Sequence, residues 1–147
     1  MGVYGPARDI GVEGNGKVWL QDDLGAAAQR QGRRFSPDPR PEEGKFYRSD
    51  HFPFARLGVP AISLKSGEDL YAGGVAAGSK AEAEYIDKRY HQQGDQWSAS
   101  WDLRGIAIDI GLLYDLGRDL ASSRRWPEWK SDSEFKATRD KTRAARR

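Results

Sequence analysis

The chain of 147 residues contains no cysteine, so it can form neither a disulfide framework nor a thiolate-ligated metal site, and cysteine usage leaves the redox compartment open. Histidine is almost as scarce. Only His51 and His91 occur, which bounds any argument for zinc, an ion usually held by four donors drawn from Cys, His and carboxylate. No apolar run approaches the ~20 residues of a membrane-spanning helix. No basic stretch followed by an apolar run stands near the N-terminus, so no secretion signal is visible and the compartment is unassigned. The glycines do not make a phosphate loop, because Gly11, Gly14, Gly16 and Lys17 have the wrong spacing and no Ser or Thr follows the lysine.

What is present is modest. A hydrophobic share of 37% beside 31% charged residues is thin for an independent core, and this length ordinarily makes one domain. The net charge of +2 is unevenly spread: residues 124–147 hold nine Lys/Arg against four Asp/Glu, or +5, which leaves the remainder at −3. A basic segment with Trp126, Trp129 and Phe135 has the makings of a contact with nucleic acid or anionic lipid. The extension is expected instead to be partly packed, with the mixed-sign run after Trp129 a frayed, solvated helix, so neither a nucleic-acid nor a membrane partner is expected. Two regions follow, a main body at 1–123 and a basic extension at 124–147.

Pattern and punctuation place the elements. Residues 9–13 suit a short strand, closed by Gly14-Asn15-Gly16 as a tight turn. Over 18–31, Asp22 and Asp23 favour an early helical turn, Leu24, Ala27 and Ala28 make an apolar face, and Gly32 is a natural stop. Three prolines at 37, 39 and 41 predict a loop. The apolar run 59–64 suits a strand buried on both faces, with the loop after Leu64 beside a ligand cleft, since ligands of α/β sheets gather beyond strand carboxyl ends. Residues 67–78, rich in Gly and Ala around Tyr71, predict a flexible loop. A short helix over 80–89 then delivers Tyr90-His91. Ser98 or Ser100 can cap the next helix, over 102–122, whose apolar residues recur every three and four positions.

The most informative pair is Tyr90-His91, because an imidazole can hold a metal and a neighbouring phenol can steady an oxyanion. A lone loop histidine is more often an ordinary hydrogen-bonded residue, and Tyr90 is equally readable as a packed aromatic. A second box, Arg48-Ser49-Asp50-His51-Phe52-Pro53-Phe54, followed by Leu57-Gly58-Val59-Pro60-Ala61, lies upstream. It has the residue types of a serine-hydrolase triad, yet adjacent residues cannot easily align nucleophile, base and orienter. Glu42-Glu43 sits among prolines and is taken as solvated surface.

Together the boxes, with Val3 to Ile10, Trp101-Asp102-Leu103 and Trp126-Pro127-Glu128-Trp129-Lys130, resemble the last part of a zinc-dependent aminopeptidase of metallopeptidase family twenty-eight. The resemblance implies an α/β fold, an incomplete three-layer sandwich with a mixed sheet and flanking helices. It implies that His91 is the last zinc ligand and Tyr90 the catalytic phenol. Ser49 resembles a residue close behind the metals, and Asp50, His51 and Phe54 look like pocket or scaffold positions. A complete relative would use two zinc ions to activate water against an N-terminal peptide bond, with a glutamate as base. The His-x-Asp pair, the Glu-Glu pair and a further Asp of the family pattern have no counterpart here, so the chain is read as a fragment, probed best by its upstream coding sequence, and is expected to be inactive alone. The alternative is a non-catalytic interaction module on the same scaffold. Open strand edges and bare helix faces are expected to favour self-association.

Overall fold

A computed structural model of the protein describes residues 3–14 and 17–146. Strand β1 (Asp9–Val12) is buried throughout, and its alternation sends Ile10 and Val12 to one face of the sheet. That face is covered by helices α1 (Trp19–Arg30) and α4 (Arg104–Ser122), whose Leu24, Ala27, Ala28, Leu112 and Leu116 close the main core around Ile10 and Val12. Ile10, Leu24 and Leu112 are fully buried. Each such side chain contributes about 1.5–3 kcal/mol.

Beside β1 lie β2 (Arg34–Ser36), parallel, and β3 (Leu64–Ser66), antiparallel, in the order β2-β1-β3. The parallel pair needs a crossover, and α1 provides it. The fold is therefore α/β with a small mixed sheet and helices, and no further strand covers the outer edges of β2 and β3 among the described residues.

The strand expected over 59–64 is shifted: only Leu64 belongs to a ladder, with Val12 as its partner, and the strand runs on to Ser66 opposite Ile10. Its extent is set by the short β1, since a ladder stops where its partner does. Its residues are half-buried instead of covered on both faces. Strand β2 was not foreseen, because three residues with Phe35 as the one apolar member carry no period; pairing with β1 makes it. Helix α2 (Phe52–Arg56) forms inside the second box, where Pro53 sits in the first turn and needs no donor.

Helix α3 (Gly74–Lys88) begins six residues before the expected position and absorbs residues 74–78 of the predicted loop. The Ala-rich stretch has good intrinsic helicity. Gly78 fixes its approach to the body: a Cβ there would lie 2.1 Å from the Glu68 carbonyl oxygen, so only glycine allows the contact. For α4, Ser98 and Ser100 do not cap. Their hydroxyls bond each other at 2.7 Å, and the Asp102 carboxylate accepts the Arg104 N–H at 3.1 Å instead. The Arg104 guanidinium in turn holds the Asp102 carboxyl down at a pKa of about 2. Of the expected turn at 14–16, Asn15 and Gly16 lie outside the described residues.

A second core gathers Val18, Leu20, Phe46, Ala55 and Trp129. Trp129 is 1% exposed, and its indole N–H donates to the Gly58 carbonyl at 3.0 Å. The backbone around it is tied to the start of α1 by Trp19 N–H to Glu128 O (3.1 Å) and Lys130 N–H to Lys17 O (2.7 Å). Past it, α5 (Lys136–Asp140) is a short helix preceded by Phe135, which packs on Phe46, Phe52 and Trp129.

Candidate functional site

Tyr90 and His91 lie on the loop that leaves α3. The Tyr85 carbonyl accepts both the Arg89 and the Tyr90 N–H at 2.9 Å, which stops the helix and turns the chain. His91 then takes φ 57°, a left-handed conformation that is uncommon outside glycine, although histidine is among the side chains that adopt it more readily. The two rings stack, with centroids 3.9 Å apart and an interplanar angle of 21°. Both side chains are exposed. Among the described residues neither the phenol hydroxyl nor the imidazole has a hydrogen-bond partner, so each can offer its polar atoms to an incoming group. The loop is braced by neighbours: Gln92 N–H bonds Arg89 O at 2.8 Å, the Gln92 amide bonds Asp87 O at 2.9 Å, and the Tyr85 hydroxyl donates to Asp95 at 3.0 Å. Burial, and then the Asp95 carboxylate, push the Tyr85 phenol above its ordinary pKa.

The second box occupies another place, in the aromatic cluster over Trp129. The Ser49 hydroxyl donates to the Lys45 carbonyl at 2.8 Å and closes the 3₁₀ turn Lys45–Arg48. Asp50 and Phe54 face solvent. His51 is edge-on to Phe46 with centroids 4.5 Å apart, and both its nitrogens are buried without a hydrogen-bond partner among the described residues. No hydrogen bond, ion pair or ring contact joins this box to Tyr90 or His91 among the described residues.

Burial lowers the His51 pKa below the ordinary 6.5, and the Asp50 charge only partly opposes it. The folded state thus favours the neutral ring, and the unfolded chain binds the proton more tightly. Stability is fully present above pH 6.5 and is lost as the pH falls from there toward the depressed folded value. Urea midpoints at neutral and mildly acidic pH are expected to fall more for the wild type than for His51→Phe, which cannot titrate; parallel losses would disprove the assignment.

One arrangement had no clear sequence signal. On the sheet face opposite α1 and α4, a cavity of about 170 Å³ lies between β3 and α3, with Tyr4, Glu13, Lys65, Glu68, Glu82 and Tyr85 in its wall. The Lys65 ammonium bonds the Glu68 carboxylate at 2.5 Å and lies 3.4 Å from Glu82, and Ser79 donates to Glu68 at 2.7 Å. Burial works against the charged form of Lys65, but these carboxylates outweigh it and raise its pKa. The sole hint was a lysine directly after an apolar strand. Gly67 and Glu68, just after β3, also line the cavity, and neither Tyr90 nor His91 is in its wall.

The sequence model of Peptidase family M28 matches residues 1–110, three quarters of the chain, including both boxes and Tyr90-His91. The chain belongs to this peptidase family. No match was found among curated proteins or among solved structures. Family M28 peptidases are generally zinc-dependent. Four donors are needed. Among the described residues no three His, Asp or Glu side chains are gathered where they could hold an ion, and His91 offers a single nitrogen. The donors at hand do not by themselves fit a zinc centre.

Proposed function

We propose that this M28 chain carries the late-ligand part of an aminopeptidase-type hydrolytic centre: His91 is one metal donor of that centre and Tyr90 the phenol that donates to the oxyanion of a peptide substrate. The observation that carries this reading is the strained, exposed His91 at φ 57° with Tyr90 stacked on it. Non-glycine residues held in sparsely populated backbone regions cluster at functional sites, and the Tyr90 ring, which also lies 5.9 Å from the Tyr85 ring, keeps its hydroxyl without a protein partner among the described residues. Tyr90 then acts through its O–H, a donor placed where negative charge develops. Ser49, Asp50, His51 and Phe54, which make no contact with Tyr90 or His91 among the described residues, are read as scaffold of the domain and not as ligands, and the small mixed sheet is one portion of a three-layer sandwich of the zinc aminopeptidase type. Zinc would supply activated water in a complete centre. The donors gathered here are too few, so the isolated chain is proposed to be inactive.

Two measurements test this. Zinc titrated into the isotope-labelled chain is expected to bind weakly and to shift the ring signals of His91 before those of His51, because only His91 is accessible; the reverse order would sink the assignment. Leucine-p-nitroanilide should not be turned over. Zinc-dependent turnover that disappears in His91→Ala would show instead that this polypeptide assembles a working site. Absence of any shift at His91 would favour a non-catalytic interaction module on the peptidase scaffold.

A further inference from the structure

Helix α4 has two apolar seams. The first, Gly105, Leu112 and Leu116 with the ion-paired Asp109 among them, is buried against β1, β3 and α1. The second runs Leu103, Ala107, Ile110, Tyr114, Gly117, Ala121, in alternating steps of four and three residues, the period by which one helix presents a continuous seam to another. Nothing among the described residues covers it. Ile110 is 60% and Tyr114 67% exposed, with Leu103 at 50% and Leu113 at 42%. A helix whose outer side faces water ordinarily carries polar residues there.

We propose that this outer seam is the contact surface of a symmetric dimer in which α4 pairs antiparallel with α4 of a second copy. From Ile110 to Ala121 the seam is complementary to itself. With the twofold axis between Asp115 and Leu116, Tyr114 faces Gly117 of the other copy and Ile110 faces Ala121, a large residue against a small one in each case, and the symmetry repeats both contacts. The space is there, since a Cβ at Gly117 would meet nothing within 4 Å. Charge does not oppose the pairing: Arg118 is ion-paired with Asp115 and Asp119 at 3.3 Å, and Arg104 with Asp102 at 2.6 Å, so no block of one sign flanks the seam. Typical side-chain areas at these exposures give roughly 500 Å² of apolar surface per copy, or about 1,000 Å² for the pair. That is the lower limit of a specific interface, so the dimer is weak and concentration-dependent.

Sedimentation of the full chain over a range from low micromolar to several hundred micromolar tests the proposal. The mass is expected to rise from one chain to two, and Ile110→Asp or Tyr114→Asp to hold it at one. Ile86→Asp, on an exposed apolar residue of α3, is expected to leave the rise unchanged. Because the chain has no cysteine, a mixture of Ile110→Cys and Ala121→Cys molecules should oxidise to mixed disulfide dimers, while neither alone should cross-link. A wild type that stays monomeric at every concentration overturns the proposal whatever the variants do. So does a dimer that survives Tyr114→Asp, and homodisulfides of Ile110→Cys would overturn the antiparallel register.

Discussion

Asp109→Ala is expected to lower the unfolding free energy by about 3–5 kcal/mol, the cost of leaving a buried charge without its counter-ion. The charge is that of Arg33, whose side chain is 5% exposed and whose Nη1 lies 2.8 Å from Asp109 Oδ1. Asp109 projects from α4 and also accepts the Ser66 hydroxyl of β3 at 2.9 Å. Arg33, just after α1, donates a hydrogen bond from Nη2 to the Asp9 carbonyl of β1 at 2.6 Å. One ion pair thus ties four segments together. Its alignment is poor, for Nη1 and Oδ1 are close without meeting hydrogen-bond geometry, and Arg33 Nε has no partner among the described residues. A poorly aligned buried pair returns little of its desolvation cost. Replacing both partners by apolar residues of similar volume, Arg33→Met with Asp109→Leu, should therefore cost much less than Asp109→Ala. Urea unfolding of the three proteins decides it. Equal losses for the single and double variants would mean that packing, and not the stranded charge, sets the effect.

The second large effect is expected from Trp129→Ala, a loss of about 3–5 kcal/mol, as for other buried large-to-small changes. Trp129 lies beyond the segment matched by the peptidase family, yet it fills the second core against Val18 and packs on Phe135 with ring centroids 4.9 Å apart. Its removal empties the centre of that core and leaves the Gly58 carbonyl without the indole donor. Trp129→Phe should recover part of the loss by refilling volume without the N–H. A thermal midpoint for Trp129→Ala within a degree or two of the wild type would show that the segment after α4 is dispensable to the fold.

The two long helices with a regular face were legible in the sequence. Leu24, Ala27 and Ala28 announced α1, and the apolar recurrence over 102–122 announced α4, because a period of 3.6 residues is a local property. Strand β1 was legible from a different local signal, a short run closed by the turn-forming Gly14-Asn15-Gly16. Strand β2 was not, since Arg34-Phe35-Ser36 is extended only because β1 offers a ladder to it. The start of α3 was hidden by glycine: Gly78 signals a loop by propensity, whereas in the fold it permits the Glu68 carbonyl to approach. The seam along Ile110, Tyr114 and Gly117 was visible as part of one amphipathic helix, but which apolar side would be covered was not.

Residue order and type alone determined the α/β class, the family resemblance later matched by its model, and the adjacency of Tyr90 and His91, for these are properties of neighbouring residues along the chain. The tertiary structure alone decided that His51 is enclosed with no polar partner among the described residues, that Arg33 meets Asp109, and that the rings of Tyr90 and His91 stack in the open. Burial and charge pairing depend on segments far apart in the chain, and only the closed core brings them within the few ångströms over which hydrogen bonds and ion pairs act.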